Sequence, residues 1–156
     1  MTGASDSVTP APAHPLIAQL FHKHGYLNID AANIDSFVQQ PGQALLVFTE
    51  DPLRVRETLD LAVIVPELAQ TFAGRFRVGV LLPAAARSLQ GRYGFRRWPA
   101  FVMVRDGAYL GAVDGLRNWD EYLQEVERLL DAQPTRPPTI GVAVKTAGTG
   151  AASCGS

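Results

Sequence analysis

The sequence is poor in cysteine: of 156 residues only Cys154, close to the C-terminal end, carries a thiol. A single thiol forms no intramolecular disulfide, no Cys-x-x-Cys pair exists, and no cysteine cluster is present to hold zinc. Cys154 has no cation near it in sequence to lower its pKa, so it reads as an ordinary thiol on a Gly- and Ala-rich tail. Histidine is scarce too, and the three residues His14, His22 and His24 all fall near the N-terminus. His22 and His24 are spaced i, i+2, which points them to different sides of a helix, whereas a ligand pair on a helix wants i, i+4. Solvated histidines are the simpler reading, and no cofactor or metal is expected.

Surplus charge is equally lacking. A formal net charge of -1 at pH 7 gives no electrostatic case for nucleic acid or for an anionic membrane. Residues Met1 to Pro15 contain neither lysine nor arginine nor an apolar core, so they do not read as a secretory signal or a transit peptide. No run approaches the ~20 apolar residues needed to cross a bilayer. The expectation is a cytoplasmic protein with no nucleic-acid partner and no stable membrane insertion.

What is present is enough for one core. A chain of 156 residues, 47% of them apolar, fits a single domain with tails. Residues 1–14 are rich in Ser, Thr, Ala and Pro, and 133–156 return to Pro, Thr, Ala and Gly; neither stretch buries enough surface to offset the entropy of ordering, and both are expected as disordered or flexible tails. The domain is therefore expected over 15–132.

Within it the apolar period changes in step with the turn residues. Leu16, Ile17, Leu20 and Phe21 make one face of a short helix with Pro15 in its first turn and Gly25 past its end. Tyr26 to Ile29 is a short strand candidate, and Asn33 is expected to cap a helix carrying Ile34, Phe37 and Val38, ended by Pro41-Gly42. Ala44 to Phe48 is a continuous apolar run of strand length, as in a central strand buried on both faces. The charged stretch Glu50 to Glu57 is a loop. Thr58 or Asp60 is expected to cap the next helix, whose face is Leu61, Ile64, Val65, Leu68 and Phe72, with an interruption at Pro66. Phe76 to Leu82 reads as a strand, Ala84 to Tyr93 as a helix stopped at Gly94. A final helix opens at Asn118 with Glu121 as its capping-box partner and carries a stripe of Trp119, Tyr122, Leu123, Val126, Leu129 and Leu130.

The organising stretch is Gln90 to Gly115. Pro99 lacks a backbone donor and so opens the strand Phe101 to Val104 instead of sitting inside it, and Asp106-Gly107 between two apolar runs is the strongest hairpin signal in the chain. The order is β-α-β-α-β-α-β-β-α after one extra N-terminal helix, an α/β arrangement with a mixed central sheet and helices on both faces. Arg92-Tyr93-Gly94-Phe95 ahead of Trp98-Pro99, the Asp106-Gly107 hairpin and Gly115 before the last helix together resemble the C-terminal half of a thioredoxin fold. That resemblance implies a cis Trp98-Pro99 bond facing the first turn of the helix that carries Pro66. Proline is the residue for which a cis bond is cheap, which suits the sharp turn into the Phe101 strand.

A narrower resemblance covers most of the chain. Asp51-Pro52 with Arg54, the Pro66-Glu67-Leu68 step that varies among relatives, Arg92-Tyr93-Gly94-Phe95, Trp98-Pro99-Ala100, and Tyr109-Leu110-Gly111 leading to Gly115 and Trp119 resemble the HyaE-type hydrogenase expression proteins. These are accessory proteins of nickel-iron hydrogenase maturation that keep a thioredoxin-like fold without its redox cysteines. The resemblance places Thr58-Leu59-Asp60-Leu61 where a redox-active thioredoxin holds its cysteine pair. Dithiol exchange needs a thiolate and a resolving thiol there, and neither exists.

Trp98-Pro99 has two readings at this stage. In one, Trp98 packs against Leu61 and Pro99 only shapes the fold. In the other, the backbone before the cis-proline pairs with an extended peptide while the indole supplies apolar area. The candidate peptide-binding residues are Trp98, Pro99, Glu57, Thr58, Asp60 and Leu61. Glu50, Asp51, Glu57 and Asp60 rim the same place, either as a solvated loop with carboxylates favourably set at a helix N-terminus or as receivers of a partner's arginines. Arg54, Arg56, Arg96 and Arg97 nearby make the field mixed in sign.

The HyaE-type resemblance implies a non-enzymatic chaperone that binds the hydrogenase small-subunit precursor, through its twin-arginine signal peptide, with other maturation factors as further partners. An enzyme of another class, a thioredoxin-like oxidoreductase or transferase, would have to use Cys154 or the hydroxyl of Thr58, for which no general base is visible in sequence. A generic interaction domain with another partner is the third reading. Cys154→Ser is expected to leave hydrogenase activity equal to wild type in cells, and an insulin-reduction assay of either protein is expected to stay at background. Loss of hydrogenase activity in the variant would restore a role for the thiol.

Overall fold

Residues 14–138 are described by the computed structural model of the chain. The expected tail over 1–14, except His14, and the part of the expected C-terminal tail beyond Pro138, with Cys154, lie outside the described residues. The elements run α1 (Pro15–His22), β1 (Leu27–Asn28), α2 (Ile34–Gln39), β2 (Gln43–Phe48), α3 (Glu57–Thr71), β3 (Arg77–Leu81), α4 (Pro83–Tyr93), β4 (Ala100–Arg105), β5 (Ala108–Asp114) and α5 (Trp119–Leu130). They build a five-stranded sheet of order β1-β3-β2-β4-β5.

The run of apolar residues in β2 is continuous because both of its faces are covered. Leu45 and Val47 face one core with Leu61, Val65 and Leu68 of α3, Ile17 and Leu20 of α1, and Tyr122, Val126 and Leu129 of α5. Ala44, Leu46 and Phe48 face the other, with Ile34, Phe37 and Val38 of α2 and Ala86, Leu89 and Tyr93 of α4. β2 pairs in parallel with β3 and antiparallel with β4, so the sheet is mixed as expected. Asp106 (φ 52) and Gly107 (φ 87) both take positive φ, which closes a two-residue hairpin whose twist suits the flanking strands. The Asp106 carboxylate accepts from the Gly42 amide at 2.7 Å, tying the hairpin to the start of β2.

Three local expectations are corrected. Helix α3 begins at Glu57 with Arg56 as its N-cap, so Thr58 and Asp60 lie in its first turn and neither caps it. Thr58 is turned inward, where its hydroxyl accepts from the Glu50 amide at 3.3 Å. Asn33 occupies the N-cap of α2 but makes no side-chain cap bond. Its amide group instead serves the turn before the helix, accepting from Asp30 N at 2.8 Å and donating to Asn28 O at 2.9 Å. Trp119 leaves the buried stripe of α5, being 38% exposed at the first helical position. The capping box of Asn118 with Glu121 is present as expected, and α3 continues through Pro66 to Thr71.

Gly79 in β3 is dictated by space and not by backbone conformation. A Cβ there would lie 2.6 Å from Ile29 Cγ1 and 3.0 Å from the Phe37 ring. Overpacking of this kind costs ~1–3 kcal/mol, so Gly79→Ala should lower the urea midpoint by a corresponding amount with an unchanged m-value.

Candidate functional site

The candidate site lies at one end of the sheet, where β2 finishes and β4 starts. Phe48 stands opposite Ala100, so Thr49-Glu50 after β2 and Trp98-Pro99 before β4 extend from the same edge of the ladder. The Trp98-Pro99 bond is cis. Pro99 is buried, and its carbonyl accepts from the Gly115 amide at 2.9 Å, which fixes the loop after β5 against it. The amides of Arg96 and Arg97 both donate to one carboxylate oxygen of Asp114, at 2.9 and 3.1 Å. Between these anchored neighbours, no hydrogen bond among the described residues engages the backbone N–H or C=O of Trp98.

The Trp98 side chain does not pack on Leu61. It is half-buried with the α2/α4 core, edge-on to Phe95 with ring centroids 5.1 Å apart, whereas Leu61 is buried in the α1/α3/α5 core on the opposite face. The sheet therefore separates the two side chains. Of the six candidate peptide-binding residues, Thr58, Leu61 and Pro99 are buried, Trp98 is half-buried, and Glu57 and Asp60 are exposed.

The carboxylates are also sorted by the fold. Glu50 is buried and receives a two-pronged pairing from Arg87 of α4, with Nε at 2.9 Å from Oε2 and the terminal nitrogen at 2.6 Å from Oε1. Its Oε1 also accepts from the Asp51 amide at 2.8 Å. Asp51 accepts from the Leu53 amide at 3.0 Å, a turn that leaves Leu53 93% exposed at the loop tip. Two of the four rim carboxylates are thus spent inside the loop, and Glu57 and Asp60 remain exposed in the first turn of α3. Asp60 faces α5: burial raises the pKa of the Tyr122 phenol, hydrogen bonding and charge from Arg117 lower it, and the Asp60 charge adds to the rise. On the other flank of Trp98, Arg96 and Arg97 are exposed, with Arg97 3.6 Å from Asp114.

The pairings that hold this end together, Glu50 with Arg87 and Asp114 with the Arg96-Arg97 backbone, were not visible as sites in the sequence. Their partners lie 37 and 17 or 18 residues apart. The one available signal was the placement of a Glu two residues after the end of a buried strand, where a carboxylate needs a partner.

The chain as a whole is similar to known proteins. The family described as Hydrogenase-1 expression protein HyaE matches residues 16–122. The hydrogenase expression/formation protein HoxO of Cupriavidus necator is 38% identical over 138 residues, covering 87% of this chain and 86% of that protein. HoxO of Azotobacter vinelandii is 37% identical and covers 87% of this chain and 91% of its own length. The chain belongs to the HyaE family. Among solved structures, a mutant thioredoxin from Halobacterium salinarum superposes with a TM-score of 0.55 at 22% identity over 70% of this chain and 92% of that one, which establishes the thioredoxin-like fold. As a member of the HyaE family the protein has a role in hydrogenase maturation, and its partners are hydrogenase-associated.

The Glu50–Arg87 pair makes stability depend on pH. The Arg87 hydrogen bonds are the main reason the Glu50 carboxyl lies below its ordinary value, against an opposing push from burial. A depressed folded-state pKa contributes stability above the unfolded carboxylate range, and that contribution is lost as pH falls through the folded value. Glu50→Gln should therefore melt below wild type at neutral pH, and the gap between the two melting temperatures should close in acid. A gap that persists unchanged at low pH would assign the pair no charge-linked role.

Proposed function

We propose that this HyaE-family protein is a non-enzymatic chaperone of the cytoplasm that holds the precursor of a nickel-iron hydrogenase small subunit through its twin-arginine signal peptide. The observation that carries this reading is the Trp98 backbone beside Pro99, which no hydrogen bond among the described residues engages, at the end of the sheet from which the loop to the exposed Glu57 and Asp60 also leaves. An extended peptide can pair with that backbone as an added strand, and the half-buried indole supplies apolar contact. Carboxylates in the first turn of α3 supply acceptors for guanidinium groups, to which bidentate pairing is strong and directional. Family membership supplies the hydrogenase as the source of the peptide.

Chemistry at the same place has little support. The hydroxyl of Thr58 is buried and accepts from the Glu50 amide, and that of Thr49 donates to Leu81 O at 2.8 Å, so neither is presented to a substrate. Thr58 and Leu61 are buried and enter the proposal only as supports of the start of α3, while Trp98, Glu57 and Asp60 are its accessible residues.

Titration of the purified protein with synthetic signal peptide, read by calorimetry and by chemical-shift mapping, tests the reading. Saturable binding with shifts at Trp98, Glu57 and Asp60 is expected. The double change Glu57→Gln with Asp60→Asn should weaken binding roughly tenfold at most, since exposed pairs contribute ~0.2–1 kcal/mol each, and should flatten the salt dependence. Trp98→Ala should cost more, as a central aromatic contact does. Binding of a precursor that lacks its signal peptide as tightly as the full precursor would overturn the peptide site, and shifts confined to the α2/α4 face away from Trp98 would move it elsewhere.

A further inference from the structure

The two edges of the sheet are protected in different ways. β1 is two residues long, which leaves little backbone to pair. β5 is seven residues long, Ala-Tyr-Leu-Gly-Ala-Val-Asp, and carries no lysine, arginine or proline, the usual means of keeping an edge strand from pairing with another chain. A bulge interrupts its register with β4 between Met103 and Val104, where Leu110 has no opposite residue, but the following Gly111 to Asp114 pair regularly on the inner side with Ala100 to Met103.

What covers this edge is the segment after α5. The Arg105 guanidinium donates to the carbonyls of Leu130 and Ala132 at 3.1 and 2.8 Å, which turns the chain towards β5. Thr135 N then donates to Tyr109 O at 2.9 Å, the one bond from this segment to β5 among the described residues; further along the strand Arg117 Nε donates to Asp114 O at 3.2 Å. The chain goes on to Pro138, whose carbonyl lies so close to Gly94 that a Cβ there would collide with it. Gly94 is thus required twice, by its φ of 73 at the end of α4 and by the approach of Pro138. Three of the five residues from 134 to 138 are prolines, which have no amide hydrogen to donate. The segment lies over the edge yet cannot complete a ladder with it.

We propose that Pro134–Pro138 is a strap guarding the β5 edge, and that its release opens β5 to antiparallel pairing with β5 of a second copy of the chain. Self-pairing is compatible with the strand's own side chains. A two-fold axis at Ala112 sets Ala112 opposite the second copy's Ala112 and Gly111 opposite its Val113, and Asp114, the one charged residue of the strand, does not meet its own copy. The single bond from Thr135 makes the strap easy to displace compared with any element of the sheet.

Sedimentation equilibrium on three chains at one protein concentration tests this: the full chain, a chain ending at Pro138 and a chain ending at Ala132. The first two are expected at monomer mass, and the third shifted towards twice that mass, with Ala112→Lys in the shortened chain returning it to monomer. Thr135→Pro in the full chain removes the only strap donor to β5 and is expected to shift the mass in the same direction, which keeps the test decisive if the chain ending at Ala132 fails to fold. Monomer mass for Thr135→Pro, and for a folded chain ending at Ala132, overturns the proposal, as does a full chain already paired through β5.

Discussion

The pairing of β2 with β4 is the constraint on which the rest of this molecule depends. Both strands are buried on both faces, and their residues alternate between two cores: Leu45, Val47, Phe101 and Met103 on one side, Ala44, Leu46, Phe48, Ala100, Val102 and Val104 on the other. A slip of one residue would exchange every one of these side chains between cores that differ in shape. The ladder also joins the parallel half of the sheet, β1-β3-β2, to the antiparallel hairpin β4-β5. Because Phe48 must stand opposite Ala100, the loop into α3 and the Trp98-Pro99 step must emerge together. The candidate site is a consequence of that register before it is a matter of any particular side chain.

Features set by local chemistry were legible in the sequence. The unbroken run of β2 announced burial on both faces, Asp106-Gly107 announced its hairpin, and Asn118 with Glu121 announced the start of α5. Each of these depends on residues within a few positions of one another. Features set by distant partners were not. Asn33 and Thr58 are good capping residues by type, yet the nearest groups needing a bond were Asp30 N and Glu50 N, and tertiary position decided where each side chain went. One of the two readings of Trp98 set it against Leu61, and the structure sets it on the other face, against Phe95. Which face a side chain takes is fixed by the strand pleat, and for a residue in the loop before the strand no periodicity reports it.

The same end of the sheet shows how charge is allotted. Glu50 and Asp114 hold the architecture, the first drawing α4 to the end of β2, the second gathering the amides of Arg96 and Arg97. Glu57 and Asp60 hold nothing in place through hydrogen bonds of their side chains among the described residues, and they are exposed. A carboxylate in the first turn of a helix is favoured by the helix dipole by roughly 0.3–1 kcal/mol, so these two positions carry negative charge at little cost to folding. Arg96 and Arg97 on the other flank, like Arg54 and Arg56 ahead of α3, have the opposite sign and are exposed, so this end of the sheet presents charge of both signs.

These exposed charges bear on how binding at this place would be controlled. In redox-active relatives the dipole at this helix start stabilises a thiolate, and association there is coupled to the oxidation state of sulfur. Here the same dipole acts on carboxylates set in the first turn of the helix, with the buried Thr58 between them bonded to the Glu50 amide just beyond β2. Association at such a surface responds to ionic strength and to the number of cations a partner presents, not to redox poise. On the proposed reading, a partner held here is selected by its charge, where a redox-active relative selects through sulfur.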